Sequence, residues 1–201
     1  MTHQTPTSAP IGSTISDTAT VTGLSGHPGP TGTVTFRLFN NPACTGTRLA
    51  TALAGPVTAP WVPNAGSNPP SASAGPVSIT APSPPGTYYW LATYGGDTNY
   101  GEALSVCTTE PVDVGVATPQ VVTHQTPTSA VVGDTIHDTA TVTGVSGGPT
   151  PGGTVTFRLY NNGMCTGTVF GTAGPVTLAP DAGSSPPSVS ASGTLTAPSP
   201  L

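Results

Sequence analysis

Three cysteines give this 201-residue chain its clearest capacity for covalent chemistry: Cys44, Cys107 and Cys165. A thiol can be oxidised to a disulfide, attack as a nucleophile or bind a metal ion. No two of these cysteines stand at the short spacing that zinc sites use, and the four histidines are scattered along the chain. We therefore predict no metal site and no cofactor.

Nucleophilic catalysis has little support in the sequence, although serine and threonine are abundant. A hydroxyl nucleophile needs a base and an orienting acid beside it, and no Gly-x-Ser-x-Gly elbow is present. Asp17 and Asp138 occupy equivalent places in two copies of a repeat, so they do not form an obvious pair. We predict that the protein is not an enzyme.

The segment Gly95–Asn99 contains two oxygen-bearing side chains, Asp97 and Asn99, that could contact a cation. A calcium loop of the EF-hand type needs more acids and a distal bidentate glutamate. A tight turn explains the segment better, because glycine accepts positive φ and Asp and Asn side chains bond to their own backbone.

Charge is scarce: only 5 % of the residues are charged, against about a quarter in an ordinary soluble domain. The chain has no lysine, and its cations are Arg37, Arg48 and Arg158. So few cations cannot neutralise a row of phosphates, which argues against nucleic-acid binding. No apolar run is long enough to span a membrane, and the N-terminus has no signal-peptide pattern, so we expect any export signal to lie outside this chain.

An internal repeat is the strongest pattern in the sequence. Residues 2–9, 17–23 and 32–38 recur letter for letter at 123–130, 138–144 and 153–159, and Cys44 and Cys165 keep the same offset of 121 residues. Beyond the cysteines the offset shrinks to 119 and then 116, as expected where loops lose residues. We predict a complete domain over 1–118, a linker over 119–122 and an incomplete second copy over 123–201.

Alternation of apolar residues with threonine or serine predicts β-strands in the first copy. The strands are expected at Thr14–Leu24, at Thr33–Phe39, around Val77 and Ile79, at Tyr88–Tyr94 and at Val112–Val116. Turn-forming residues separate these segments and helical periodicity is absent, so the fold class is all-β, an antiparallel sandwich.

Three further expectations concern particular residues of the first copy. Trp90 is predicted to anchor the core, since a buried Trp removes a large apolar surface from water. Asp17 shares the inner face of its strand and is expected near the edge of the sheet. The Pro-, Ser- and Gly-rich stretch Pro60–Gly75 is interpreted as mobile loop.

The second copy stops where a counterpart of Tyr88–Val116 would begin. It is expected to expose a sheet edge and an apolar face, and to be unstable alone. Two interpretations stay open: another chain supplies the missing strands, or the sequence ends early.

The segment Gly86–Tyr100 reads Gly-Thr-Tyr-Tyr-Trp-Leu-Ala-Thr-Tyr-Gly-Gly-Asp-Thr-Asn-Tyr, which resembles the closing motif of bacterial Ig-like domain repeats. Gly32–Phe39 followed by Cys44, and then Cys107, is similar to the cysteine-bearing subset found in surface proteins of high-GC Gram-positive bacteria. The resemblance covers residues 10–116 and part of 131–200. It implies tandem immunoglobulin-like β-sandwiches, the second truncated, in stalk or adhesion modules of exported proteins without catalytic residues.

The resemblance also implies a disulfide between Cys44 and Cys107. Such a bond would close a 63-residue loop and stabilise the domain by about 4 kcal/mol in the chain-entropy model. The alternative is a pair of buried thiols in a reducing cell. Cys165 would then be a free thiol, available for reaction or for a Cys165-linked dimer.

Two functions of different class follow. The first is a structural stalk module, at the cell surface or outside the cell, that spaces or presents other domains. The alternative is an adhesin-type module that binds a glycan or an extracellular protein through aromatic side chains, with Trp61 and Tyr100 as the candidate contacts.

Overall fold

The computed structural model describes residues 1–46, 57–59 and 61–199, and gives no side-chain burial for 57–59, 61 and 62. The chain divides into two compact units, Met1–Val116 (unit 1) and Ala117–Leu201 (unit 2). Both consist of β-strands, which confirms the all-β prediction. None of the described segments is a helix with the length and apolarity that a membrane span requires.

The described residues of unit 1 form ten strands in two sheets. They are β1 (Thr2–Thr5), β2 (Ser8–Pro10), β3 (Thr14–Thr22), β4 (Val34–Phe39), β5 (Val57–Ala59), β6 (Trp61–Asn64), β7 (Ser71–Thr80), β8 (Gly86–Tyr94), β9 (Ala103–Leu104) and β10 (Pro111–Gly115). One sheet has the order β1-β3-β7-β6; the other has the order β2-β10-β8-β4-β5, with β9 also on β8. Neighbouring strands are antiparallel except β2 and β10, which are parallel.

The core of unit 1 follows from the alternation that predicted its strands. Apart from Asp17, the buried inward positions of β3 carry apolar side chains and its outward positions carry Ser and Thr, and β8 likewise buries one face. Trp90 is only 1 % exposed and is among the largest fully buried side chains, as predicted. Both sheets contribute to the core, with Ile15, Ala19, Ala72, Ala74 and Ile79 from one and Val34, Phe36, Leu38, Tyr88, Trp90, Val112 and Val114 from the other.

The interpretation of Pro60–Gly75 as mobile loop is wrong for most of the described part of that stretch. Trp61–Asn64 forms β6, and β7 begins at Ser71 and pairs with both β6 and β3. The start of β7 alternates serine with alanine, and Ala72 and Ala74 are each 1 % exposed. This alternation has the period of two that indicates a strand. Alanine is only weakly apolar, however, so the surrounding proline and glycine made the segment resemble a loop.

Within residues 117–199, the described part of unit 2, there are six strands. They are β11 (Gln120–Thr126), β12 (Thr135–Thr143), β13 (Thr154–Leu159), β14 (Gly171–Thr177), β15 (Ala179–Pro180) and β16 (Ser188–Thr196). One sheet has the order β11-β12-β16-β15, and β13 and β14 form a two-stranded sheet. Because β11 begins at Gln120 and pairs with β12, the predicted linker 119–122 lies mostly inside a strand.

The core of unit 2 is smaller than that of unit 1. Its buried apolar side chains are Ala140, Val142, Phe157, Val189 and Ala191. The two sheets meet where the Phe157 ring packs on the backbone of Gly193, which leaves no room for a Cβ at that position. Among the described residues of unit 2, no strand corresponds to β8 or β10 of unit 1.

Candidate functional site

A disulfide joins Cys44 and Cys107, the pair that the resemblance implies, with their Cα atoms 5.9 Å apart. Cys44 lies in the loop that follows β4, and Cys107 begins a short 3-10 helix, Cys107–Thr109, that leads into β10. The bond therefore connects two parts of unit 1 that are 63 residues apart in sequence.

The loop after β4 holds Cys44 in an unusual conformation. The Asn41 side chain organises the loop: its Oδ1 accepts hydrogen bonds from the backbone N–H groups of Ala43 and Thr45, and its Nδ2 donates to the Thr45 carbonyl at 2.9 Å. Cys44 has φ 49°, in the left-handed region that costs L-residues about 1–2 kcal/mol. The local hydrogen bonds offset this cost and position the sulfur toward Cys107.

Unit 2 repeats this loop in detail although its cysteine is free. Asn162 accepts from the backbone of Met164 and Thr166 and donates to the Thr166 carbonyl at 2.7 Å. Cys165 has φ 51° and is an exposed free cysteine. The loop is thus formed by its own residues and does not depend on a disulfide.

Trp61 and Tyr100 are the two aromatic residues predicted as ligand contacts, and the structure describes the side chain of Tyr100. The backbone of Trp61 begins β6, but its side chain lies outside the described residues. Tyr100 is half-buried, and its hydroxyl donates to the Pro28 carbonyl at 2.6 Å and accepts from the Leu24 N–H at 3.2 Å. Its ring lies against Gly23, so Tyr100 connects two loops of unit 1.

Asp97 is held as a turn residue. One carboxylate oxygen accepts from the backbone of Asn99 and Tyr100, and the other accepts from the N–H and hydroxyl of Thr31. Burial alone would raise the pKa of Asp97, but these donors outweigh it and hold the pKa well below its ordinary value. Both oxygens are already occupied, which favours the turn over the cation site. Within the described part of the chain, no three His, Cys, Asp or Glu residues lie close enough to hold a metal ion.

A pair of buried carboxyl groups, Asp17 and Glu110, lies in the core of unit 1. Asp17 is fully buried rather than near a sheet edge, and its carboxyl group interacts with that of Glu110. Glu110 is 4 % exposed. Burial, and then the neighbouring charge of Glu110, raise the pKa of Asp17 to about 7. Burial also raises the pKa of Glu110.

Sequence reasoning missed this carboxyl pair. The strand pattern predicts Asp17 on the inner face, whereas Glu110 lies just before the predicted strand Val112–Val116. Glu110 lies two residues before Val112 and four before Val114, which both face inward. Because side chains alternate along a strand, this spacing was the signal that Glu110 also faces inward. What the pattern could not supply is the pairing of two positions 93 residues apart.

No protein-family model and no curated protein matches this chain.

Proposed function

We propose that this chain is a non-catalytic structural module of an exported bacterial surface protein, built from tandem immunoglobulin-like β-sandwiches that space or present other domains. The observation that carries the proposal is the Cys44–Cys107 disulfide, which cross-links a unit whose sequence recurs 121 residues later. Disulfides persist in oxidising compartments outside the cytosol. The scarcity of charge and the resemblance to bacterial Ig-like repeats support the same role.

A spacing module must resist extension, and the cross-link limits how far unit 1 can be stretched. In the oxidised protein, the chain between the two cysteines, which are 63 residues apart, cannot contribute to the extended length. At about 3.6 Å per residue, those residues correspond to about 230 Å of chain.

Single-molecule pulling of the full chain between its termini tests the proposal. Unit 1 is expected to unfold in a discrete event whose length gain is about 230 Å shorter than in the Cys44→Ala/Cys107→Ala variant. Events from unit 2 should be identical in the two proteins and serve as the internal control. Extension of unit 1 without a discrete force peak would overturn the structural role.

A screen against glycans and extracellular matrix proteins separates this function from adhesion. The structural proposal expects no saturable binding. Saturable binding that is lost in Trp61→Ala would replace it with the adhesin function.

A further inference from the structure

The loop after β13 contains the only Asn-Gly pair of the sequence, Asn162–Gly163. In such a pair the backbone nitrogen of the glycine can attack the side-chain amide carbon of the asparagine, because glycine has no Cβ to hinder the approach. All residues from Asn161 to Thr166 are exposed, so water reaches the site. The chemistry open to this loop is therefore loss of ammonia from the side chain of Asn162.

The hydrogen bonds of the loop polarise the Asn162 amide. Its Oδ1 accepts from the backbone N–H groups of Met164 at 3.1 Å and Thr166 at 3.3 Å. Negative charge develops on this oxygen when a nucleophile adds to the amide carbon, and two fixed N–H donors stabilise that charge as an oxyanion hole does. The folded loop thus favours attack on Asn162.

Nothing in the described structure of unit 2 requires glycine at position 163. A Cβ built on Gly163 would meet no atom within 4 Å, and its φ lies outside the left-handed region. The backbone at this position is therefore one that other residues also adopt. Glycine here matters for the reactivity of its nitrogen rather than for the shape of the loop.

Unit 1 has the same loop but lacks the nucleophile. The Oδ1 of Asn41 accepts from the backbone N–H groups of Ala43 and Thr45, in the same pattern as the Oδ1 of Asn162. The residue after Asn41 is Pro42, whose ring nitrogen carries no hydrogen and cannot attack the amide. The repeat therefore contains one loop that can react and one that cannot.

We propose that Asn162–Gly163 is a self-modifying site that deamidates in the folded protein, and that Pro42 exempts the equivalent loop of unit 1. The Gly163 nitrogen bonds to Cγ of Asn162, and the bond from Cγ to the side-chain nitrogen breaks. That nitrogen leaves as ammonia, and the proton lost by Gly163 ends on the ammonia. Water then opens the succinimide ring at either carbonyl, which leaves aspartate or isoaspartate at position 162.

Deamidation removes contacts that support the conformation of Cys165. The Nδ2 of Asn162 donates to the Thr166 carbonyl at 2.7 Å, and neither product has that donor. In isoaspartate the former side-chain carbonyl becomes part of the backbone and the chain gains one carbon, so the loop changes shape. Cys165, which has φ 51°, then lacks the hydrogen bonds that offset the cost of this conformation.

Incubation of the full oxidised chain at mildly alkaline pH, followed by peptic digestion at acidic pH and mass spectrometry, tests the proposal. Asn162 should convert to aspartate and isoaspartate at a rate that rises with pH, because the attacking amide nitrogen must lose its proton. The conversion should be at least as fast in the folded chain as in a synthetic peptide of residues 158–168, since the folded loop polarises the amide. An unmodified Asn162, or a slower reaction in the folded chain than in the peptide, would overturn the proposal.

Reciprocal variants identify the cause. Gly163→Pro gives unit 2 the residue that unit 1 has at this place and should abolish the conversion of Asn162. Pro42→Gly supplies the missing nucleophile to unit 1 and should make Asn41 react, whereas Asn41 should stay intact in the wild type. Continued conversion in Gly163→Pro, or an inert Asn41 in Pro42→Gly, would contradict the mechanism.

Discussion

At the scale of single residues, the buried Asp17 carboxyl has a predictable effect on stability. Its pKa is about 7 in the folded protein and about 3.8 ordinarily, so between these values the folded state holds a proton that the unfolded state releases. The free energy of unfolding should therefore fall as pH rises from about 4 to about 7. At about 1.4 kcal/mol per pH unit, the total loss is about 4 kcal/mol. The buried Glu110 acts in the same direction.

The variant Asp17→Asn should flatten this profile and make unit 1 more stable than the wild type above pH 7, because a neutral amide has no proton to lose. Urea unfolding at about pH 4 and about pH 8 measures the difference. Asp113→Asn is the matched control, since Asp113 is exposed on β10 and should leave the slope unchanged. An undiminished slope in Asp17→Asn would mean that the carboxyl is already ionised in the folded protein.

Tyr100 provides a second prediction at this scale. Its hydroxyl connects Pro28 to Leu24, so Tyr100→Phe should destabilise unit 1 by about 1 kcal/mol through loss of these hydrogen bonds. Thermal unfolding followed by tyrosine fluorescence or circular dichroism measures the effect. Unchanged stability would indicate that the hydroxyl is free for another partner, as the adhesin hypothesis requires.

At the scale of elements, β3 and β7 contain a bulge that β12 and β16 lack. Ser71 corresponds to Ser188, an offset of 117, but Thr80 corresponds to Thr196, an offset of 116, so one extra residue lies within β7. The register shifts between Asp17 and Ala19, opposite Gly75, which has φ 105°. The shrinking offset is thus not confined to loops, because a strand absorbs one residue as a bulge.

The variant Gly75→Ala should destabilise unit 1 by about 1–3 kcal/mol, because its Cβ would lie 2.8 Å from the Asp17 carbonyl oxygen and its φ is unfavourable for alanine. Gly86→Ala, at the start of β8, is the control, since its Cβ would meet nothing within 4 Å. Denaturant unfolding of both variants gives the comparison. Equal stabilities would show that the bulge relaxes at little cost.

At the scale of the whole molecule, the same strand sequence occurs in both units but in two different environments. Residues 34–38 of β4 are identical to 155–159 of β13, but β4 lies between two strands, whereas β13 pairs with β14 alone among the strands that the structure describes. Backbone amides of β13 should therefore exchange with deuterium faster than those of β4. Peptic peptides that end at Phe39 and at Tyr160 distinguish the two segments by mass. Equal protection would mean that the second edge of β13 is covered in solution.

The sequence alone was enough to predict the all-β class, the repeat and most long strands of unit 1, because strand alternation is a local property that reads directly from the residues. The serine–alanine start of β7 escaped because alanine carries a weak apolar signal. The tertiary structure decided how deeply each residue is buried. Asp17 lies in the core beside Glu110, and Phe36 is fully buried on β4, which pairs with β8 on one edge and β5 on the other. Burial depends on which distant segments pack together, so the identical β4 and β13 have different surroundings, and Cys44 has a partner where Cys165 has none.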